Sequence, residues 1–79
     1  MTKIEYSKCE KLMLDAIQKA KQADEEYKVY NQLIKNDMIK AEIEQRKADQ
    51  HIGYAEGINQ VLAVIGFKHD RMKELSELL

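Results

Sequence analysis

No proline occurs anywhere in the 79 residues, and the three glycines, Gly53, Gly57 and Gly66, all fall in the last third. Residues 1–52 therefore lack both strong helix breakers, and nothing local stops a helix from running through them. Ser7 and Glu10 have the spacing of a reciprocal N-terminal cap, in which the serine oxygen accepts a backbone N–H and the glutamate reaches back to the cap. A first helix is predicted to begin near Lys8. Cys9, Met13, Ala16, Ala20, Ala23, Tyr27, Tyr30 and Ile34 then alternate in steps of four and three, the period that keeps one narrow stripe facing a partner helix. Leu12, Ile17 and Leu33 widen it.

The stripe changes phase after Ile34, where the next apolar positions are Met38, Ala41, Ala48, Ile52 and Ala55. Asn36 tolerates the left-handed conformation that ends a helix, and Asp37 is a good N-cap, so this pair predicts a reversal. The alternative is one long helix that absorbs the shift and forms an extended coiled coil. Folding the chain back here sets Ile34 against Ile39, Tyr30 against Ile43, Ala20 against Gly53, Ala16 against Gly57, Leu12 against Val61 and Cys9 against Val64. Small residues opposite small residues favour close approach, and GYAEG (53–57) reads as close helix packing rather than a phosphate loop, since no strand precedes it and no Lys-Ser/Thr follows. Gly66 supplies a stop, after which Met72, Leu75, Leu78 and Leu79 recur at helical spacing.

The expected fold is all-α, a single domain over 1–79. It consists of an antiparallel hairpin of arms at about 8–35 and 38–65, each about 40 Å long, and a short C-terminal helix at about 69–79. So small a chain buries little apolar surface against its chain entropy, and self-association is the natural remedy. Two hairpins joined through Ala16, Ala20, Ala23, Tyr27, Tyr30, Ile34, Ala41, Ala48, Ile52 and Ala55 would give a four-helix bundle. In outline such a dimer resembles the Rop type of helical hairpin, without a residue motif to support kinship.

Composition removes several function classes. At 44% apolar and 34% charged, the chain is too hydrophobic for a disordered segment, and no apolar window reaches the length of a membrane span. Thirteen basic against 14 acidic residues lack the electrostatic footprint of a typical nucleic-acid binder. The single Cys9 cannot make an internal disulfide, and no signal-like segment opens the chain, so the expected setting is the cytoplasm.

Catalysis has little to work with. Cys9, Ser7, Ser76 and Thr2 are the candidate nucleophiles and His51 and His69 the candidate bases, with no spacing that links them. Cys9 lies on the apolar stripe, where a thiol behaves as a small hydrophobe. No Glu-x-x-His step suggests a bundle metal site, and Glu42, Asp49 and Glu56, one line at heptad spacing, read as a solvated face. Neither a cofactor nor a metal is expected, and the chain reads as non-enzymatic.

What remains is binding. Small helical chains rich in lysine and glutamate resemble in composition the accessory proteins of bacteria and phages: regulators, inhibitors and adaptors. The expected partner is a protein, contacted by the amphipathic tail Met72, Leu75, Leu78 and Leu79, which can close the chain's own core or enter a groove elsewhere, by exposed tyrosines near the middle of the arms, or by the hydrophobic open end. The alternative is a dimeric nucleic-acid-binding hairpin that uses Lys8, Lys11, Lys19 and Lys21 on phosphates, although residues 1–35 net only +1.

Overall fold

The computed structural model describes residues 1–79. Three helices follow in order: α1 (Lys3–Leu33), α2 (Met38–Val64) and α3 (Met72–Leu78). The first two pack as an antiparallel hairpin, and α3 folds back over its open end, giving a rod of 51 × 17 × 16 Å. The reversal at residues 34–37 excludes the single continuous helix.

Helix α1 starts five residues earlier than the Ser7–Glu10 spacing predicts. Thr2 and Glu5 repeat that spacing, and here the box forms: the Glu5 N–H donates to Thr2 Oγ1 (3.1 Å) and the Thr2 N–H to Glu5 Oε1 (3.4 Å). Of two competing caps the outer one adds more than a turn of backbone hydrogen bonds and carries Tyr6 to Phe67, ring centroids 5.2 Å apart. Ser7 is left inside the helix.

The hairpin turn uses only part of the anticipated chemistry. Asp37 is the N-cap of α2 and accepts from the Lys40 N–H at 3.1 Å. Asn36, however, is not left-handed, since Gly66 alone has positive φ. Instead the Leu33 carbonyl accepts from both the Asn36 and Asp37 N–H groups, at 2.9 and 2.7 Å, and closes the first helix without a special conformation.

At the far end of α2, Gly66 stands at φ 75°. Its N–H donates to the Ala63 carbonyl (3.1 Å) and the Phe67 N–H to the Leu62 carbonyl (2.9 Å), the paired bonds that satisfy a helix's last acceptors. Leu62 and Phe67 then pack together in the core. The third helix begins at Met72 rather than near His69, because His69 is committed to a turn: its Nδ1 accepts from the Arg71 N–H and its carbonyl from Met72.

Two layers of packing result. Along the arms the seam is alanine: Ala16, Ala20, Ala23, Ala41, Ala48 and Ala55 are all buried. At the open end Cys9, Met13, Ile17, Leu62, Phe67 and Leu75 fill the main core, and no polar side chain is buried. Several expected cross-arm pairs do not form. Ile39 and Val64 are 75% and 86% exposed, Ile43 points outward, and a side chain placed on Gly53 or Gly57 would meet nothing within 4 Å. The line Ala41–Ala48–Ala55–Leu62 occupies the inward face of α2, and residues two before or after any of them lie on its far side. Gly53 and Gly57 are therefore not a contact between the arms, whereas Ala55 between them is.

Candidate functional site

Helix α1 has two flanks beside its buried stripe, and they differ. On one, Glu10 and Lys21 reach the C-terminal segment: His69 Nε2, in the turn before α3, lies 2.9 Å from Glu10 Oε2, and Lys21 Nζ lies 3.2 Å from Glu74 Oε1 in α3. On the other nothing is docked. There a recess at the open end of the hairpin is lined by Met1, Glu5, Lys8, Cys9 and Ile65. Ile4 and Leu12 stand one turn either side of Lys8, and Val61 one turn before Ile65, so each neighbours a lining residue on its own helix. Each is exposed, Ile4 at 70%. An apolar surface with a charged rim of Glu5 and Lys8 is thus held by three elements: the capped start of α1, the last turn of α2 and the Gly66 stop.

Four polar links end on carboxylates, three between the arms and one from the segment before α3 to α1. Tyr27 donates to Asp49 (2.6 Å) and Tyr54 to Asp15 (2.7 Å), His51 Nδ1 pairs with Glu26 (2.6 Å), and His69 with Glu10. The Asp49 and Asp15 carboxylates, by accepting the phenolic protons, hold both tyrosine pKa values above the ordinary one. In α3 the Arg71 guanidinium and then the Lys21 ammonium hold Glu74 well down, at about 2. Sequence reading missed these links. For the three between the arms the signal was available, because each joins residues that the antiparallel fold brings level across the seam.

The tail is spent largely within the chain. Leu75 is fully buried, Met72 and Leu78 pack against the core, and only Leu79 keeps a sizeable exposed surface. The seam residues likewise meet inside one hairpin: the six alanines are buried there and Tyr27, Tyr30, Ile34 and Ile52 half-buried. The alanines are thereby taken up within one hairpin, while the tyrosines and isoleucines keep part of their surface exposed. Of the lysines assigned to the nucleic-acid alternative, Lys8 and Lys19 stand about three turns apart on one side of α1, and Lys21 is turned to the opposite flank. Lys8 borders the open recess, Lys11 faces away from the core, Lys19 is half-buried, and Lys21 is paired with Glu74 on the α3 flank. Asp49 of the acidic line is held by Tyr27, and no three His, Cys, Asp or Glu side chains converge on a metal-sized space. No helix is long and apolar enough to cross a membrane.

No protein-family model matches the chain, and neither a curated protein nor a solved structure shows significant similarity to it.

Proposed function

We propose that this protein is a non-enzymatic helical interaction module of the kind represented by small bacterial or phage regulators, inhibitors and adaptors, acting by binding a protein partner. The observation that carries this reading is the open recess lined by Met1, Glu5, Lys8, Cys9 and Ile65, with Ile4, Leu12 and Val61 exposed one turn from its lining residues, on the flank of the hairpin that α3 leaves bare. A contiguous apolar surface with a polar rim is the usual form of a protein-binding site. The tail serves the site indirectly: α3 closes the opposite flank and so makes the two sides of the open end unequal. Pairing of two hairpins into a four-helix bundle belongs to the same reading, with its seam outside the alanine contact.

A photoreactive group at Ile4, with a second at Val29 as a distant exposed control, tests the recess. The expected result is a partner captured from Ile4 and not from Val29, whose binding in purified form is lost on Ile4→Glu or Ile65→Glu while the helical circular-dichroism signal is retained. Equal capture from both positions, or binding that survives both substitutions, overturns the assignment.

A further inference from the structure

The outward face of α2 has the wrong composition for a face meant to meet only water. Ile39, Ile43, Arg46, Gln50, Gly53, Gly57, Gln60 and Val64 follow one another in steps of four and three, and all eight are exposed. Only Arg46 is charged, in a chain where 34% of residues are charged. Ile39 and Val64, at opposite ends of the line, are among the most exposed large apolar side chains of the molecule. Between them stand two helical glycines that nothing in this chain approaches. Each glycine inside a helix costs about 0.5–1 kcal/mol relative to alanine, and the hairpin itself draws no packing from either.

We infer that this face binds a second copy of the chain, α2 against α2, antiparallel about a two-fold axis between Gln50 and Gly53. The size and charge of the residues select this occupant. In that register Ile39 meets Val64 of the second copy, Ile43 meets Gln60, Arg46 meets Gly57 and Gln50 meets Gly53, and the axis repeats each pair. The two long side chains at the centre lie over the two glycines, so large opposes small, and both ends close with apolar against apolar. The Arg46 guanidinium comes beside Glu56 of the second copy, where it offsets the approach of Glu56 to Asp49 across the seam. A parallel pair would stack Arg46 on Arg46 and glycine on glycine, a repulsion beside a void.

The surface area agrees. A folded monomer of 9.2 kDa exposes about 4,900 Å² by the usual scaling, whereas this chain exposes 5702 Å². The excess of about 800 Å², which the thin rod carries along its length, is of the size that one partner buries in a standard interface. Because the axis falls at the middle of α2 (Met38–Val64), two rods lie flush, and the four long helices make a bundle. The inference rests on the self-association part of the proposed function. The recess on the α1 flank, with its hetero-partner, stands or falls by the separate experiment at Ile4.

Two single-cysteine forms of the full chain, Cys9→Ser with Arg46→Cys and Cys9→Ser with Gly57→Cys, test the register when mixed under mild oxidation. The expected product is a disulfide between the two forms, with little product from the Arg46→Cys form alone. A disulfide formed by the Arg46→Cys form alone overturns the antiparallel register. Light scattering on the native chain from micromolar to millimolar concentration is expected to show a dimer. Val64→Glu, present twice in a two-fold interface, is expected to raise its dissociation constant at least about tenfold while leaving the helical signal unchanged. A native chain that stays monomeric throughout, or a dimer unaffected by Val64→Glu, overturns the inference.

Discussion

Leu75 is the one residue of α3 with no exposed surface, and it belongs to the same core as Met13, Ile17 and Leu62. Leu75→Ala is expected to cost about 2–5 kcal/mol, the range for a buried leucine that leaves a cavity, read as a lower midpoint in thermal unfolding. Glycines at three positions behave in two ways. Gly66→Ala is expected to destabilise by about 1 kcal/mol, because φ 75° strains any side chain. Gly53→Ala and Gly57→Ala are expected to stabilise the isolated hairpin by about 0.5–1 kcal/mol each, since they sit in helix with open space around them. Denaturant titrations at concentrations too low for association separate the two signs. Tyr27 and Tyr54 are neutral donors to carboxylates with raised pKa values. Their contribution is complete below the ordinary phenol pKa of about 10 and disappears as pH rises through the higher folded values. The double variant Tyr27→Phe with Tyr54→Phe is expected to lose that alkaline dependence. These links were invisible to a reading that sorted residues by type along one helix, because a Tyr–Asp pair 22 or 39 residues apart exists only once the arms are in register.

At the scale of elements, α3 is the weakest. Seven residues are too few for an independent helix, and its N-cap Arg71 makes no side-chain capping bond. Docking supplies its stability, through Leu75 and through Glu74, which bridges Arg71 on its own turn and Lys21 on α1. With the Glu74 pKa held at about 2, the bridge is fully present above the ordinary carboxylate value and is lost as pH falls from there through 2. Amide exchange in α3 is therefore expected to accelerate on acidification through that window, with a smaller change in Glu74→Gln. The effect is modest because the groups are solvent-screened. The third helix was legible as an amphipathic strip. Its destination was not, since the same strip suits a neighbour's groove or the chain's own open end, and only the packed Phe67 and Met13 beside it decide between them.

The whole molecule is a thin rod, 51 Å long, whose main core lies at one end. The arms beyond that core are held by alanines and by carboxylate links, which bring little apolar area out of water. Ending the chain at Gly66 removes Phe67, Met72, Leu75 and Leu78 together. A large drop in midpoint and a broadened melt are expected by circular dichroism at low protein concentration. An unchanged cooperative transition would show that the alanine seam alone holds the hairpin.

Read by itself, the chain specified an all-helical fold, a reversal at Asp37 and a stop at Gly66, because caps and glycine stops act through the backbone within a few residues. It also displayed the seven-residue repeat of Ala41, Ala48 and Ala55, without fixing what that line faces. Which face of α2 turns inward was not decided there. That helix carries two lines at the same period, Ala41–Ala48–Ala55–Leu62 and Ile39–Ile43 through Gly53–Gly57 to Val64, and periodicity cannot rank them. Packing against α1 ranks them: its own buried line is alanine at 16, 20 and 23, and close approach then requires an evenly small, continuous line opposite rather than isoleucines at one end. The choice between Thr2 and Ser7 as the start of α1 fell to tertiary structure for a related reason. Two caps of equal local merit differ only in whether the extra turn finds Phe67 to pack against.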